Sequence, residues 1–225
     1  MFAKIFLLIF IITSSIFYYM FLFFINRSEG NGILIGGFDF IPDSITGKER
    51  KGAKGEKTVN NFLRLLLKKN EYILSNIMVP STEGTFYEID SLLISNKGIF
   101  CIETKSWRGN ITGGNKDKYW VQSYNGRTRI CNKIFNPVMQ NENHCKILEE
   151  LLDFRYPVDN IVIFTKQTNL RCIQSKNVFT LKDFKECYFQ LENDQLSKKQ
   201  IVEVVDKLCP YIANVIALTR AYDKM

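Results

Sequence analysis

Glu88-Ile89-Asp90-Ser91-Leu92-Leu93-Ile94-Ser95-Asn96-Lys97-Gly98-Ile99-Phe100-Cys101-Ile102-Glu103-Thr104-Lys105 decides how this chain folds. Two apolar runs are separated only by Asn96, Lys97 and Gly98, which reads as an antiparallel hairpin. Strand side chains alternate, so Ile99, Cys101, Glu103 and Lys105 share one face. A glutamate and a lysine closing an apolar face are costly unless they pair or hold a metal. Asp90 interrupts the first run in the same way. With a two-residue turn, Ser95 pairs with Gly98 and Asp90 falls directly opposite Glu103, about 5 Å away. A type I turn with a bulge at Gly98 slips the register by one and separates the two carboxylates. Asn-Lys-Gly suits either turn.

Working outward, Val59, Phe62, Leu63 and Leu66 recur at helical spacing, so Lys54 to Lys69 reads as a helix. Glu56 stands three residues before Val59 and continues that apolar stripe instead of facing water. Further strands are expected at 72–79, 119–124, 127–133, 158–165 and 178–180, with Asn125-Gly126 as a hairpin turn between the second and third of these. Asn136-Pro137 opens a helix running to Leu152, with proline in its first turn. Helices at about 181–189, 196–208 and 211–222 complete the chain. Helix, strand meander, helix, strand and helices imply an α/β fold with a central mixed sheet.

A chain of 225 residues suits one medium domain plus a short appendage, large enough to bury a core without a staple. Aromatics at 13% exclude a disordered or collagen-like chain. The net charge of +7 favours an anionic partner. The six cysteines contain no C-x₂₋₄-C spacing, which excludes a zinc knuckle, and they are expected to be free and reduced. His144 is the only histidine, so a multi-histidine metal site is excluded.

Ile5 to Ile25 is a 21-residue uncharged apolar stretch. That is long enough for a hydrocarbon core of roughly 30 Å and longer than the apolar region of a signal peptide. The expected organisation is a transmembrane anchor over 1–26, a glycine-rich linker over 27–50 with a short apolar contact at Ile33 to Ile35, a domain over 51–170, and a helical extension over 171–225 packed on it. Reduced cysteines favour a cytoplasmic face for the domain of this single-pass membrane protein.

Two carboxylates and a lysine at one point suit Mg²⁺ or Mn²⁺ and phosphodiester hydrolysis. Oxygen ligands hold the ion, and the ion polarises the phosphate and acidifies water. A structural ion pair of Lys105 with Glu103 or Asp90 is the alternative from spacing alone. Trp107 and Trp120 read as sheet cover more than base-stacking platforms. His144, one turn from Gln140, reads as an exposed helix residue, a phosphate contact or a residue supporting the site's carboxylates from behind.

The series Gly52-Ala-Lys-Gly-Glu56-Lys-Thr-Val59, Glu88-Ile-Asp90, Gly98-Ile-Phe-Cys-Ile-Glu103-Thr-Lys105-Ser-Trp107-x-Gly109 and Asn136-Pro137-x-x-Gln140-x-x-x-His144 resembles the nuclease-related domain, or NERD, family. That family is similar to the PD-(D/E)XK nuclease superfamily, which implies a restriction-endonuclease-like core. The resemblance implies Asp90 and Glu103 as metal ligands, Lys105 as the lysine of (D/E)-x-K, Glu56 as the acidic residue of the first helix, and Gln140 as the polar residue of the later helix. It implies Mg-dependent cleavage of DNA or RNA, which the apolar stretch at Ile5 to Ile25 would place at a membrane. A non-catalytic nucleic-acid-binding, scaffold or signalling module with the same fold is the alternative. Lys48, Arg50, Lys51, Lys54 and Lys57 lead into the first helix as a solvated run, a phosphate contact or an anionic-lipid contact.

Overall fold

The structure is a computed structural model that describes residues 33–35, 47–80, 86–124, 131–166 and 168–212. Its main sheet contains six strands: β1 (Ile33–Ile35), β2 (Tyr72–Pro80), β3 (Phe86–Ser95), β4 (Gly98–Lys105), β8 (Val158–Phe164) and β10 (Val178–Thr180), in that spatial order. β2, β3 and β4 are antiparallel neighbours, whereas β1, β8 and β10 each run parallel to the strand beside them. Helix α1 (Gly47–Arg64) and helix α3 (Leu181–Gln190) cover one face. Helix α2 (Pro137–Leu151) and helix α4 (Lys198–Leu208) cover the other. This is the mixed sheet flanked by helices that the alternation of patterns implied.

Burial follows the strand period. Leu93, Phe100 and Ile102 pack with Val59 and Leu63 of α1 and Phe184 and Tyr188 of α3. Leu92, Ile94, Ile99 and Cys101 point the other way, against Cys145 and Leu148 of α2 and Val204 and Leu208 of α4. Each core therefore takes alternate residues of the same two strands, as a sheet covered on both faces requires.

The structure adds a second sheet, in the order β7 (Cys131–Phe135), β6 (Tyr119–Ser123), β5 (Gly109–Gly114) and β9 (Thr168–Gln174). Its inner residues Ile111 and Trp120 pack on Val138, Val162 and Phe164, which seats it beside α2 at the end of β8. The strands β5 and β9 were not expected. Asn-Ile-Thr-Gly-Gly carries little apolar signal, and β9 is an edge strand with no buried residue. The Asn125-Gly126 turn lies outside the described residues, but Ser123 stands opposite Cys131. A two-residue turn there would have set Ser123 opposite Thr128, so the expected pairing is corrected by three residues.

The segment expected as a linker contributes β1, and α1 begins at Gly47 and ends at Arg64, earlier than the expected Lys69. There the amides of Leu65 and Leu66 bond back three residues, to Phe62 and Leu63, tightening the end of the helix. Beyond residue 170 the chain supplies part of β9 and all of β10 as well as α3 and α4. The expected membrane span at Ile5–Ile25 and most of the expected 211–222 helix lie outside the described residues. Among the described residues no helix is long and apolar enough to cross a membrane. Cys101, Cys145, Cys172, Cys187 and Cys209 are free thiols.

Candidate active site

The turn between β3 and β4 is the two-residue one. Ser95 pairs with Gly98, whose φ of +137° favours a residue without Cβ, and the register runs without a slip to Ser91 opposite Ile102. One residue further, that register sets Asp90 opposite Glu103. The ladder stops there, and Asp90 Oδ2 accepts the Thr104 amide at 2.7 Å. The neighbouring strand is distorted at the same level. Asn76 of β2 lies between the pairs Ser75–Ser91 and Ile77–Ile89 and has a φ of +54°. Across this point the alternation shifts by one, since Ile77 and Ile89 join the same core as Leu74 and Leu92. Asp90 occupies the irregular position, which frees its carboxyl from the apolar layer.

Glu103 is 3% exposed and faces α2. Lys105 Nζ donates to Glu103 Oε1 and, at 3.2 Å, to Gln140 Oε1. Gln140 Nε2 donates to the same Glu103 oxygen at 3.0 Å. The other oxygen, Oε2, is buried and accepts no hydrogen bond. His144 Nδ1, equally unbonded, stands 3.8 Å from it. Burial holds the His144 imidazole below its usual pKa against the opposing pull of Glu103, with Lys105 adding to the depression, so the ring is neutral at neutral pH. It therefore leaves Glu103 Oε2 uncompensated by a cation.

Desolvation, then the charges of Glu103 and Glu56, hold the Asp90 carboxyl well above the ordinary aspartate range, although the Thr104 amide and Lys105 pull it down. Glu56, reaching in from α1, is also raised, by desolvation and then by Glu88 and Glu103. Glu56 arrives because Gly55 lets α1 touch the ends of β4 and β8. A Cβ at Gly55 would stand 2.0 Å from Ser106 Oγ, whose hydroxyl is bonded to that of Thr165 at 2.9 Å. Lys105 Nζ also lies 5.4 Å from the Trp107 ring centre, and that ring packs edge-on against Phe164. All five expected site residues thus gather at one end of the β3–β4 hairpin.

Three contributions were left open or missed by the sequence. His144 is buried, which settles its open readings against exposure, because α2 turns it toward Glu103 beside Tyr87. Asn136 caps α2 by accepting from the Val138 and Met139 amides, while its Nδ2 reaches the carbonyls of Gly114, Asn115 and Asp117. Asn141 is fully buried and fastens α2 to β4 and β8 through the carbonyls of Cys101 and Ile161. The Asn-Pro pair signalled the cap, but nothing local signalled a buried asparagine on the following turn. Trp120 is fully buried and bonds the Gly114 carbonyl, and Trp107 is partly buried, in keeping with sheet cover.

Above the cluster lies a pocket of about 400 Å³ lined by Phe86, Tyr87, Glu88, Asp90, Phe135, Gln140, Asn143 and His144. Among the described residues no group of three or more His, Cys, Asp or Glu side chains is arranged to hold an ion by itself. An ion held here by Asp90 and Glu103 would take its remaining ligands from water or substrate. That is how Mg²⁺ is usually held beside phosphate. The unbonded Glu103 oxygen and the mutual repulsion of Asp90, Glu103 and Glu56 fit a cation at this point.

Residues 51–165, about half the chain, match the nuclease-related domain family. The chain belongs to the NERD family. The NERD match contains every residue of the cluster, from Glu56 to His144. An uncharacterized protein of Bacillus anthracis is 30% identical over 158 residues, covering 68% of this chain and 73% of that protein. No solved structure matches the chain.

Proposed function

We propose that this NERD protein is a divalent-metal-dependent nuclease tethered to a membrane by Ile5–Ile25, with its domain on the cytoplasmic side. The observation that carries the reading is the buried, unbonded Glu103 Oε2 within a group of three carboxylates, of which Lys105 bonds Glu103 and acts on Asp90 and Glu56 by its charge. Asp90 and Glu103 would hold Mg²⁺ or Mn²⁺, which when bound supplies a Lewis acid for the phosphate and lowers the pKa of water. Lys105, held between Glu103 and Gln140, orients the attacking water and stabilises charge developing on the phosphate oxygens. Gln140 keeps the ammonium and the carboxylate in register by bonding both. Glu56, readier to hold a proton than an exposed glutamate, completes the polar wall.

A second reading, a scaffold module that keeps the fold without cleavage, draws on the Lys105–Glu103 ion pair and on the lack of a three-donor set among the described residues. Calorimetric titration of Mg²⁺ and Mn²⁺ into the full-length protein in detergent, beside Asp90→Asn and Glu103→Gln, separates the two. Saturable binding lost in both variants, with cleavage of labelled DNA or RNA lost in parallel, upholds the nuclease. Absence of binding and cleavage in folded wild type, with and without nucleic acid present, selects the scaffold.

A further inference from the structure

The outer face of the second sheet presents rings and cations together. Tyr119, Val121 and Phe135 are 42%, 44% and 44% exposed, while Trp120 and Gln122 between them are buried. Tyr119 and Phe135 are cross-strand partners with ring centres 6.1 Å apart, edge to face. Lys133 pairs with Val121 on the same face and sets its Nζ 4.4 Å from the Tyr119 ring centre. Lys118 sets a second ammonium 5.7 Å from it. Phe135 also lines the pocket over Asp90, whose wall includes the exposed Tyr87. A row of rings, flanked by two ammonium groups, therefore leads from the sheet to the carboxylates.

Resting on the nuclease reading above, we propose that this face is a binding track for single-stranded nucleic acid. Unpaired bases stack on Tyr119 and Phe135, Lys118 and Lys133 meet the phosphates, and one nucleotide enters the pocket at Asp90. The combination selects the ligand. Lysine is depleted at the cores of protein–protein interfaces, so a protein partner accounts for the rings but not for ammonium groups among them. A single strand answers both, since every unpaired base offers a π-face and every linkage a negative charge. A duplex hides its base faces in the stack. The pocket, at about 400 Å³, has room for a nucleotide-sized ligand and none for a duplex.

The test is fluorescence anisotropy of a labelled 20-nucleotide oligothymidylate and a 20-base-pair duplex with the full-length protein in detergent and EDTA, where no metal-dependent cleavage occurs. The single strand is expected to bind at least tenfold more tightly than the duplex. Phe135→Leu and Tyr119→Leu, which keep apolar cover but remove the ring, should each weaken it about 5- to 100-fold. Lys118→Ala and Lys133→Ala should each flatten the dependence of log K on log salt by about 0.7. Thermal melting of each variant separates a lost contact from a lost fold. Equal binding of strand and duplex, no binding of either, or ring variants that melt and bind like wild type would overturn the track. Ring-dependent binding by a protein that never cleaves would keep the track and remove the nuclease. Cleavage without ring dependence would do the reverse.

Discussion

Asp90→Asn should make the metal-free protein more stable while removing the proposed metal site. The amide keeps an oxygen for the Thr104 amide, so the 2.7 Å hydrogen bond survives, although losing the charged acceptor costs about 1 kcal/mol. Against this stands the repulsion with Glu103. Two ionised carboxylates at the spacing of a regular cross-strand pair, about 5 Å, would repel by about 3 kcal/mol at an effective dielectric constant near 20, an upper bound where the ladder has stopped. Lys105 already screens part of that, while the desolvation of the half-buried carboxylate adds to the gain. A net stabilisation of about 1–2 kcal/mol remains, which for a domain of this size raises Tm by roughly 2–8 °C. The pH dependence fixes the cause. A folded pKa raised above the unfolded value means that the native state holds the extra proton. The wild type's relative stability is therefore fullest below the ordinary aspartate pKa and is lost as pH rises through the raised one. The advantage of Asp90→Asn should be smallest near pH 4 and grow toward neutrality. Calorimetric scans in EDTA measure both. Excess Mn²⁺ should then reverse the order, because saturation at a hundredfold excess over Kd stabilises only the wild type, by about 2.7 kcal/mol. A variant less stable than wild type in EDTA at pH 7 would refute the argument and identify Asp90 as a structural partner of Thr104.

Gly55→Ala should lower Tm and cleavage together, since its methyl group meets Ser106 and pushes α1, with Glu56, away from the sheet; Ser106→Gly should restore part of both, as melting and nuclease assays would show. Gln140→Ala should leave metal affinity within about threefold and lower kcat more than KM, because it holds Lys105 without being a proposed ligand. Asn136→Ala should cost about 2–4 kcal/mol in urea unfolding through the lost cap and orphaned carbonyls. In a thiol-titration time course, exposed Cys172 should react at once and buried Cys101 only on unfolding.

The hairpin was legible because its polar intruders sat at fixed distances from a short turn. Once Asn96 and Lys97 form the turn, pairing arithmetic alone brings Asp90 to Glu103. Glu56 was legible for the same reason, through a helical stripe it extends. Neither period applies to β5 and β9, where glycine and polar residues are held by neighbours far along the chain. His144 illustrates the same limit. A residue on a helix is buried or exposed according to what lies across from it, and the position of β4 beneath α2 is a tertiary fact. The kink at Asn76 was equally invisible, since an asparagine in a strand run does not announce a positive φ.

Asn136 joins two parts of the molecule through a single side-chain amide. Its oxygen anchors the start of α2, and its nitrogen grips the turn joining β5 to β6. The turn beneath the aromatic face of the second sheet and the helix that bears Gln140 are thereby tied through one buried side chain. On the proposed track, tension in a bound strand would reach the posture of Lys105 by this route.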